Sequence, residues 1–341
     1  MTRYFKSDNT APVAPEILAA LAEANGGYAR GYGDDVWSHR LQDRFAALFE
    51  TDVRVYAVAT GTAANALALA CLAPPWGAVF AHHEGHIVRD ECGAPEFMSG
   101  GARVVSLAGE DGRLTAATLE AALAAKPATV HTLQPAAVSV SQATELGTCY
   151  RAASLRAIAN CAHDRGLRVH MDGARFANAV AFLDVSAADI TWRCGVDVLS
   201  LGATKNGALG AEAVVFFDPH LARDFELRRK RAGHLLSKMR FTSAQLLAYV
   251  KDGLWLQLAR RANRLAQTIG AAAGTRLLHP VEANEVFVLL GAARAAELRG
   301  RSDDPFEFYD WGASGAVRFV VSWDQPDDDV SALCEALAGQ A

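Results

Sequence analysis

No C-x-x-C pair occurs among the six cysteines of this 341-residue chain, and most of them sit among alanines and aliphatics. That spacing argues against zinc ribbons and dithiol redox motifs, and it favours free, buried thiols in a reducing cytoplasm. No run approaches the roughly 18 apolar residues of a membrane helix. The opening stretch Met1 to Thr10 lacks an apolar segment and a cleavage site, so no export signal is expected. A basic excess is missing too: the formal net charge is -5, which gives no electrostatic case for nucleic acid or an anionic membrane as partner. The one basic cluster, Arg228 to Arg231, follows Phe225-Glu-Leu and reads as a solvated or subunit-facing helix. Linkers rich in Gly, Ser or Pro are absent, as are internal repeats, so the domains should pack tightly.

What is present is a 51% hydrophobic composition, enough for a large core. Strand-like and helix-like segments alternate, which predicts an α/β fold with a mostly parallel sheet and helices on both faces. Strands are expected at 53–58, 78–80, 102–107, 129–133, 167–171, 197–201 and 213–217, and helices at 62–72, 115–125 and 152–164. Leu246, Leu247, Val250, Leu254 and Leu258 recur at helical spacing and predict one long helix from Ser243 to about Ile269. Beyond Gly270, strand-like runs at 285–290, 306–309 and 317–322 close around one helix. The expected organisation is a large domain with an N-terminal arm over 1–242 and a small α+β domain over 243–341.

Three short segments carry chemistry. The apolar run Val198 to Leu201 breaks into a glycine-spaced turn holding Lys205, and Leu167 to Met171 ends in Asp172 and Arg175. In an open α/β sheet, ligands bind at the C-terminal ends of strands, so an amine and a carboxylate should meet in one crevice. Pyridoxal phosphate (PLP) needs that pairing, an amine to hold it as a Schiff base and an acid beside its pyridine nitrogen. Third, Thr60-Gly61-Thr62 joins a strand to a helix, where outward N–H groups and the helix dipole suit a phosphate. Each feature has a plainer reading: Asp172 as a helix cap, Lys205 as a surface lysine, Thr60 or Thr62 as an ordinary cap. Arg318 lies within the apolar strand Val317 to Val321 and needs a partner, which could be only a structural ion pair. Arg175 could likewise be paired to Asp34 or Asp35. His82, His83 and His86 invite a metal reading, but no set of ligands completes a zinc site at the usual spacing.

Over nearly its whole length the chain resembles the threonine aldolase branch of the β-eliminating lyases, PLP enzymes of the aspartate aminotransferase-like fold. The carriers are Ser7-Asp8-Asn9, Tyr32-Gly-Asp-Asp35, Gly61-Thr-Ala-Ala-Asn65, His86 to Gly93, Met171-Asp-Gly-Ala-Arg175, Thr204-Lys205-Asn206 and Lys238-Met-Arg240. Asp90 to Phe97 and His170 to Phe176 look like the bacterial low-specificity L-threonine and phenylserine aldolases. The resemblance implies a Schiff base at Lys205, Asp172 on the pyridine nitrogen and His86 over the cofactor ring. It implies Gly61, Thr62 and Thr204 at the phosphate, with Arg240 contributing from the same or a neighbouring subunit. Ser7, Arg175 and Arg318 would receive the substrate carboxylate, and Tyr32 would approach across a dimer interface. Arginine suits a carboxylate because its fork makes two parallel hydrogen bonds.

The implied reaction is retro-aldol cleavage of a β-hydroxy-α-amino acid to glycine and an aldehyde, in a cytoplasmic homodimer or homotetramer. β-Elimination or transamination on the same scaffold is the competing expectation. One departure stands out: where many threonine aldolases carry Thr-His-Asn-Gly, this chain has Thr144-Glu-Leu-Gly147. The substrate hydroxyl proton would then pass to Glu145, Glu91 or His86.

Overall fold

The computed structural model describes residues 2–125, 129–312 and 315–338. Its strands in chain order are β1 (Arg3–Tyr4), β2 (Arg54–Val58), β3 (Gly77–His82), β4 (Arg103–Leu107), β5 (Gln134–Ser141) and β6 (Arg168–Gly173). They continue with β7 (Val198–Gly202), β8 (Glu212–Phe216), β9 (Glu285–Leu289), β10 (Phe306–Glu307), β11 (Tyr309–Trp311) and β12 (Ala316–Val320). The main sheet has the order β2-β8-β7-β6-β5-β3-β4. β8 runs antiparallel to β2 and β7, and the other neighbours are parallel. This is the expected α/β architecture.

Side-chain alternation sorts the strands between two cores. Val55, Phe80, Met171, Leu199 and Val215 face one apolar cluster, beneath helices that include Val36–Phe49, Ala152–His163 and Met239–Val250. Val58, Val79, Val198, Val214 and Phe216 face the other, with the helix Gly61–Leu72. Burial on both faces explains why these strands read as continuous apolar runs. A third cluster gathers Phe5, Leu265, Val286, Val317, Phe319 and Leu333. It holds the antiparallel sheet β11-β12-β9 and the parallel pair β1-β10. The N-terminal arm is therefore fastened to the C-terminal part of the chain, with the Val320 N–H donating to Phe5 O at 2.8 Å.

Three expected elements differ. The strand expected at 306–309 divides into β10, which pairs with β1, and β11, which pairs with β12. Residues 129–133 form turns, and the strand is β5, Gln134–Ser141. The β-branched Thr129, Val130 and Thr132 mimic a strand, but their hydroxyls serve local backbone: Thr129 N–H donates to Thr132 Oγ1 at 3.0 Å and His131 N–H to Thr129 Oγ1 at 3.2 Å. Pro135 reads as a break, yet it sits near the start of β5, where a strand tolerates proline. The long helix is in fact two, Met239–Val250 and Leu254–Ala273, separated by Lys251–Gly253. Asp252 (φ 51°) and Gly253 (φ 74°) adopt left-handed backbone there, a turn that leaves the apolar spacing on either side in phase.

Candidate active site

At the end of β2 the chain turns at Thr60, whose Oγ1 accepts from Ala63 N–H at 3.2 Å and caps the helix Gly61–Leu72. The first helical N–H groups have no partner within their own helix. A Cβ built at Gly61 would meet nothing within 4 Å, so this corner opens onto space. The space is a cavity of about 300 Å³ lined by Thr60, Gly61, Thr62, Asp172, Thr204 and Lys205, among others. Lys205 reaches it from the 3-10 turn Thr204–Asn206 between β7 and β8. Glu212 on β8 lines the same cavity and accepts from Ala203 N–H at 2.8 Å. Complete burial pushes its carboxyl up to about 7, against hydrogen bonds from Thr204 and Ala203 that pull the other way.

Asp172, at the end of β6, is 4% exposed. Its Oδ1 accepts from Ala174 N–H at 3.0 Å and its Oδ2 from Asn65 Nδ2 at 2.9 Å. The same Asn65 amide donates to Glu91 Oε1 at 2.8 Å, and that oxygen meets His86 Nδ1 at 2.8 Å. Asp172, Asn65, Glu91 and His86 thus form one chain of hydrogen bonds. Its members come from β6, from the Gly61–Leu72 helix and from the segment after β3. The hydrogen bond to Glu91 raises the His86 pKa despite partial burial. Burial raises Glu91, opposed by its bond to His86. His86, its Nδ1 engaged by Glu91, lines the cavity.

A second cavity, about 410 Å³, is lined by Ser7, Glu145, Arg175, Arg318, Tyr309 and Trp311. Asn9, His86 and Lys205 line both cavities, so one amine serves the phosphate-type corner and the arginine pocket. Arg175 is 6% exposed and is held bidentately by Asp8, Nε to Oδ2 at 2.8 Å and Nη2 to Oδ1 at 3.0 Å. Its Nη1 lies 3.3 Å from Glu285 Oε2. Arg318 Nη1 lies 3.6 Å from Glu285 Oε1, and its guanidinium stands 5.4 Å from the Tyr309 ring centroid and 5.3 Å from that of Trp311. Burial works against charge on Asp8, but Arg175 and Lys205 outweigh it and hold the carboxyl below its usual range. The loop carrying Glu145 closes on β9 at Gly147 (φ 71°), where a Cβ would fall 2.9 Å from Glu285 O.

The structure therefore brings together Ser7, Gly61, Thr62, His86, Glu91, Glu145, Asp172, Arg175, Thr204, Lys205 and Arg318. Tyr32 and Arg240 line neither cavity of the single chain. Tyr32 is exposed, 4.5 Å from ring centroid to Lys230 Nζ, and Arg240 Nη1 donates to Gly27 O at 3.1 Å. Arg175 pairs with Asp8 and Glu285; Asp34 instead binds Arg30 and Asp35 caps the helix Val36–Phe49. Sequence reasoning missed Asp8, Asn65, Glu212 and Glu285 as site residues. Asp8 and Asn65 stood inside quoted motifs, and Glu212 and Glu285 were legible only as acids interrupting apolar strands. Among the described residues no group of three or more His, Cys, Asp or Glu could hold a metal ion.

The beta-eliminating lyase family model matches residues 4–293. The chain belongs to that family. Among relatives of this family member, the low specificity L-threonine aldolase of Pseudomonas aeruginosa is 45% identical over 336 residues, 97% of this chain and 96% of the relative. The structure of Leishmania major threonine aldolase superposes with a TM-score of 0.91 at 30% identity, covering 98% of each chain. Alanine–glyoxylate aminotransferase of Nostoc sp. shares the fold at a TM-score of 0.70 and 16% identity, covering 99% of this chain and 95% of its own.

Proposed function

We propose that this protein is a PLP-dependent aldehyde-lyase that cleaves L-threonine, L-allo-threonine, phenylserine or similar β-hydroxy-α-amino acids to glycine and an aldehyde. One observation carries the reading: Lys205 lines both a cavity with a phosphate-type corner and a cavity with two arginines. The close aldolase relatives support the choice of reaction. The first cavity fits the cofactor, because the Gly61 corner is open and Asp172 is buried with both oxygens accepting hydrogen bonds. Gly61, Thr62 and Thr204 would hold the phosphate, Asp172 the ring nitrogen and Lys205 Nζ the aldehyde carbon, with His86 against the ring. When bound, PLP supplies a sink for the electron pair left on the substrate Cα as the Cα–Cβ bond breaks.

The protein's own groups do the rest. Ser7, Arg175 and Arg318 hold the substrate carboxylate and so fix which bond at Cα stands ready to break; such orientation is worth on the order of 7 kcal/mol or more of barrier in favourable cases. Glu145 lines this cavity and is our assignment for the hydroxyl proton, with His86, which also lines it, as the alternative. Glu91 has a fully buried side chain and one oxygen shared between Asn65 and His86. It acts by holding His86 rather than by touching substrate.

We assign the active species as a homodimer or homotetramer. Tyr28, Tyr32 and Leu236 are exposed apolar side chains, and Tyr32 N–H donates to Ser237 O at 3.1 Å, so they share one surface with Arg240. That surface is where a second copy would receive Tyr32 and Arg240. We read the chain as two units, as expected, but place the boundary within the helix Leu254–Ala273 rather than at 242, because the core beneath the main sheet takes in Leu246, Tyr249 and Ala259 and the core around β9 and β12 takes in Phe5. Among the described residues no helix is long and apolar enough to cross a membrane. The test is incubation of the PLP-loaded protein with L-threonine and with phenylserine. Glycine with acetaldehyde or benzaldehyde is expected. Ammonia with a keto acid would favour β-elimination, and an amino group passed to an added keto acid would favour transamination.

A further inference from the structure

Glu285 is the first residue of β9, and its side chain is 0% exposed. Its two oxygens point to different arginines, Oε2 to Arg175 Nη1 at 3.3 Å and Oε1 to Arg318 Nη1 at 3.6 Å, and neither oxygen has a hydrogen-bond partner. Arg318 Nε is likewise buried without a partner. These are loose pairings for a carboxylate with no access to water, and a fully satisfied structural ion pair is normally shorter. Two guanidinium groups that bind an external carboxylate in this cavity are therefore already shared by an internal one.

The groups facing Glu285 are Arg175 and Arg318, Glu145 from the Thr144–Gly147 loop, and Asp8 from the N-terminal arm. Asn284 donates to Asp8 Oδ2 at 3.0 Å and so leaves Glu285 to the arginines alone. Counting Lys205, which lines the same cavity and acts on Asp8, three cations thus meet three acids, Asp8, Glu285 and Glu145, before any substrate arrives. A further carboxylate makes anions outnumber cations in a buried site, where like charges at short range favour protonation of one of them.

We propose that Glu285 is the resident occupant of the substrate-carboxylate site: it spaces Arg175 and Arg318 when no substrate is bound and takes up one proton as a substrate carboxylate enters. This rests on the proposed reading of the arginine-lined cavity. The balance is one proton from solvent to a Glu285 oxygen for each carboxylate bound, with no other bond made or broken. Glu285 is the acid of the cluster most prone to accept it. Burial raises its pKa to about 7, with Arg175 and Arg318 acting in the opposite direction, whereas Asp8 is held low. Below that pH the proton is already present and carboxylate binding is insensitive to it. Above it, affinity falls by up to tenfold per pH unit, because each binding event must collect a proton.

The test is calorimetric titration of glycine into the PLP-loaded enzyme from pH 6.5 to 9, in buffers of different ionisation enthalpy, for wild type and Glu285→Gln. The same titration with ethanolamine, which has the amine but no carboxylate, removes the contributions of the ligand amine and of Lys205. Wild type should take up more protons with glycine than with ethanolamine, and its glycine affinity should fall close to tenfold more steeply between pH 7.5 and 8.5. In Glu285→Gln that excess should vanish, and glycine should bind more tightly than to wild type at the alkaline end. The wild-type comparison stands even if the variant does not fold. Equal proton counts for glycine and ethanolamine in wild type, or an unchanged excess in Glu285→Gln, overturns the proposal alone. Failure of glycine to bind at any pH overturns the carboxylate-site reading and this inference together.

Discussion

Replacing Asn65 by leucine tests whether the hydrogen-bond chain from Asp172 to His86 works as a unit. Leucine keeps a similar volume and a good helix former in the Gly61–Leu72 helix, but it removes both amide donors. Two bonds to buried carboxylates are lost, at 2.8 Å to Glu91 and 2.9 Å to Asp172. Hydrogen bonds to charged groups are worth roughly 1.5–3 kcal/mol each, so the upper range is about 3–6 kcal/mol. Both acids keep another partner, Ala174 N–H for Asp172 and His86 for Glu91. The lower end, about 3 kcal/mol, is therefore expected. At about 2 °C per kcal/mol for a chain of this size, the cofactor-free protein should melt about 6 °C lower. PLP affinity should weaken about tenfold, roughly 1.4 kcal/mol, because Asp172 loses one of the two donors that hold its carboxylate in place. Differential scanning fluorimetry and a fluorescence titration with PLP read the two effects. A melting temperature within 1 °C of wild type would show that the buried chain has no energetic role.

Lys205→Ala should abolish turnover and the visible absorbance of the bound cofactor while leaving the apo-protein melt near wild type; retained aldehyde formation would refute the assignment. For Glu212 the folded-state pKa lies near 7 and the unfolded value near 4.5, so the folded state binds the extra proton and stability declines as pH rises between them. The decline amounts to about 3 kcal/mol for a shift of this size. In cofactor-free Glu212→Gln the decline in urea unfolding curves at pH 4.5, 6 and 8 should be smaller than in wild type by about that amount, the part due to Glu285 remaining, and parallel curves for both proteins would be contrary. Gly147→Ala forces a side chain onto left-handed backbone and to within 2.9 Å of Glu285 O. Strain of roughly 1–2 kcal/mol plus the displaced Glu145 loop should lower kcat for threonine more than it raises KM, because Glu145 is the group assigned to the hydroxyl proton; an aldehyde-coupled assay measures both.

The layered architecture was legible because strands buried on both faces announce themselves as short apolar runs, as at Val198 to Leu201 and Ala213 to Phe217. The cofactor corner was legible because its chemistry lies within contiguous segments: Thr60 to Asn65, Met171 to Arg175, Thr204 to Asn206. The acids behind the arginines were not. Asp8, Glu285 and Arg175 are remote in sequence, and the only trace of their meeting was a charge in an otherwise apolar strand. Thr129 to Leu133 misled because β-branched residues satisfied their backbone with their own hydroxyls. The break at Asp252 was hidden because helical spacing continues across it.

Fastening β1 to β10, and Asp8 to Arg175 and Asn284, sets an order of events during synthesis. Asp8 can meet Arg175 once that residue has emerged, but β1 and Phe5 have no backbone partner until Phe306 and Val320 have followed. A nascent chain halted before that point can assemble the Gly61 corner and the lysine turn, yet its carboxylate pocket lacks Arg318 and a seated Ser7. Such a chain would stay catalytically silent until Arg318 and Val320 have emerged.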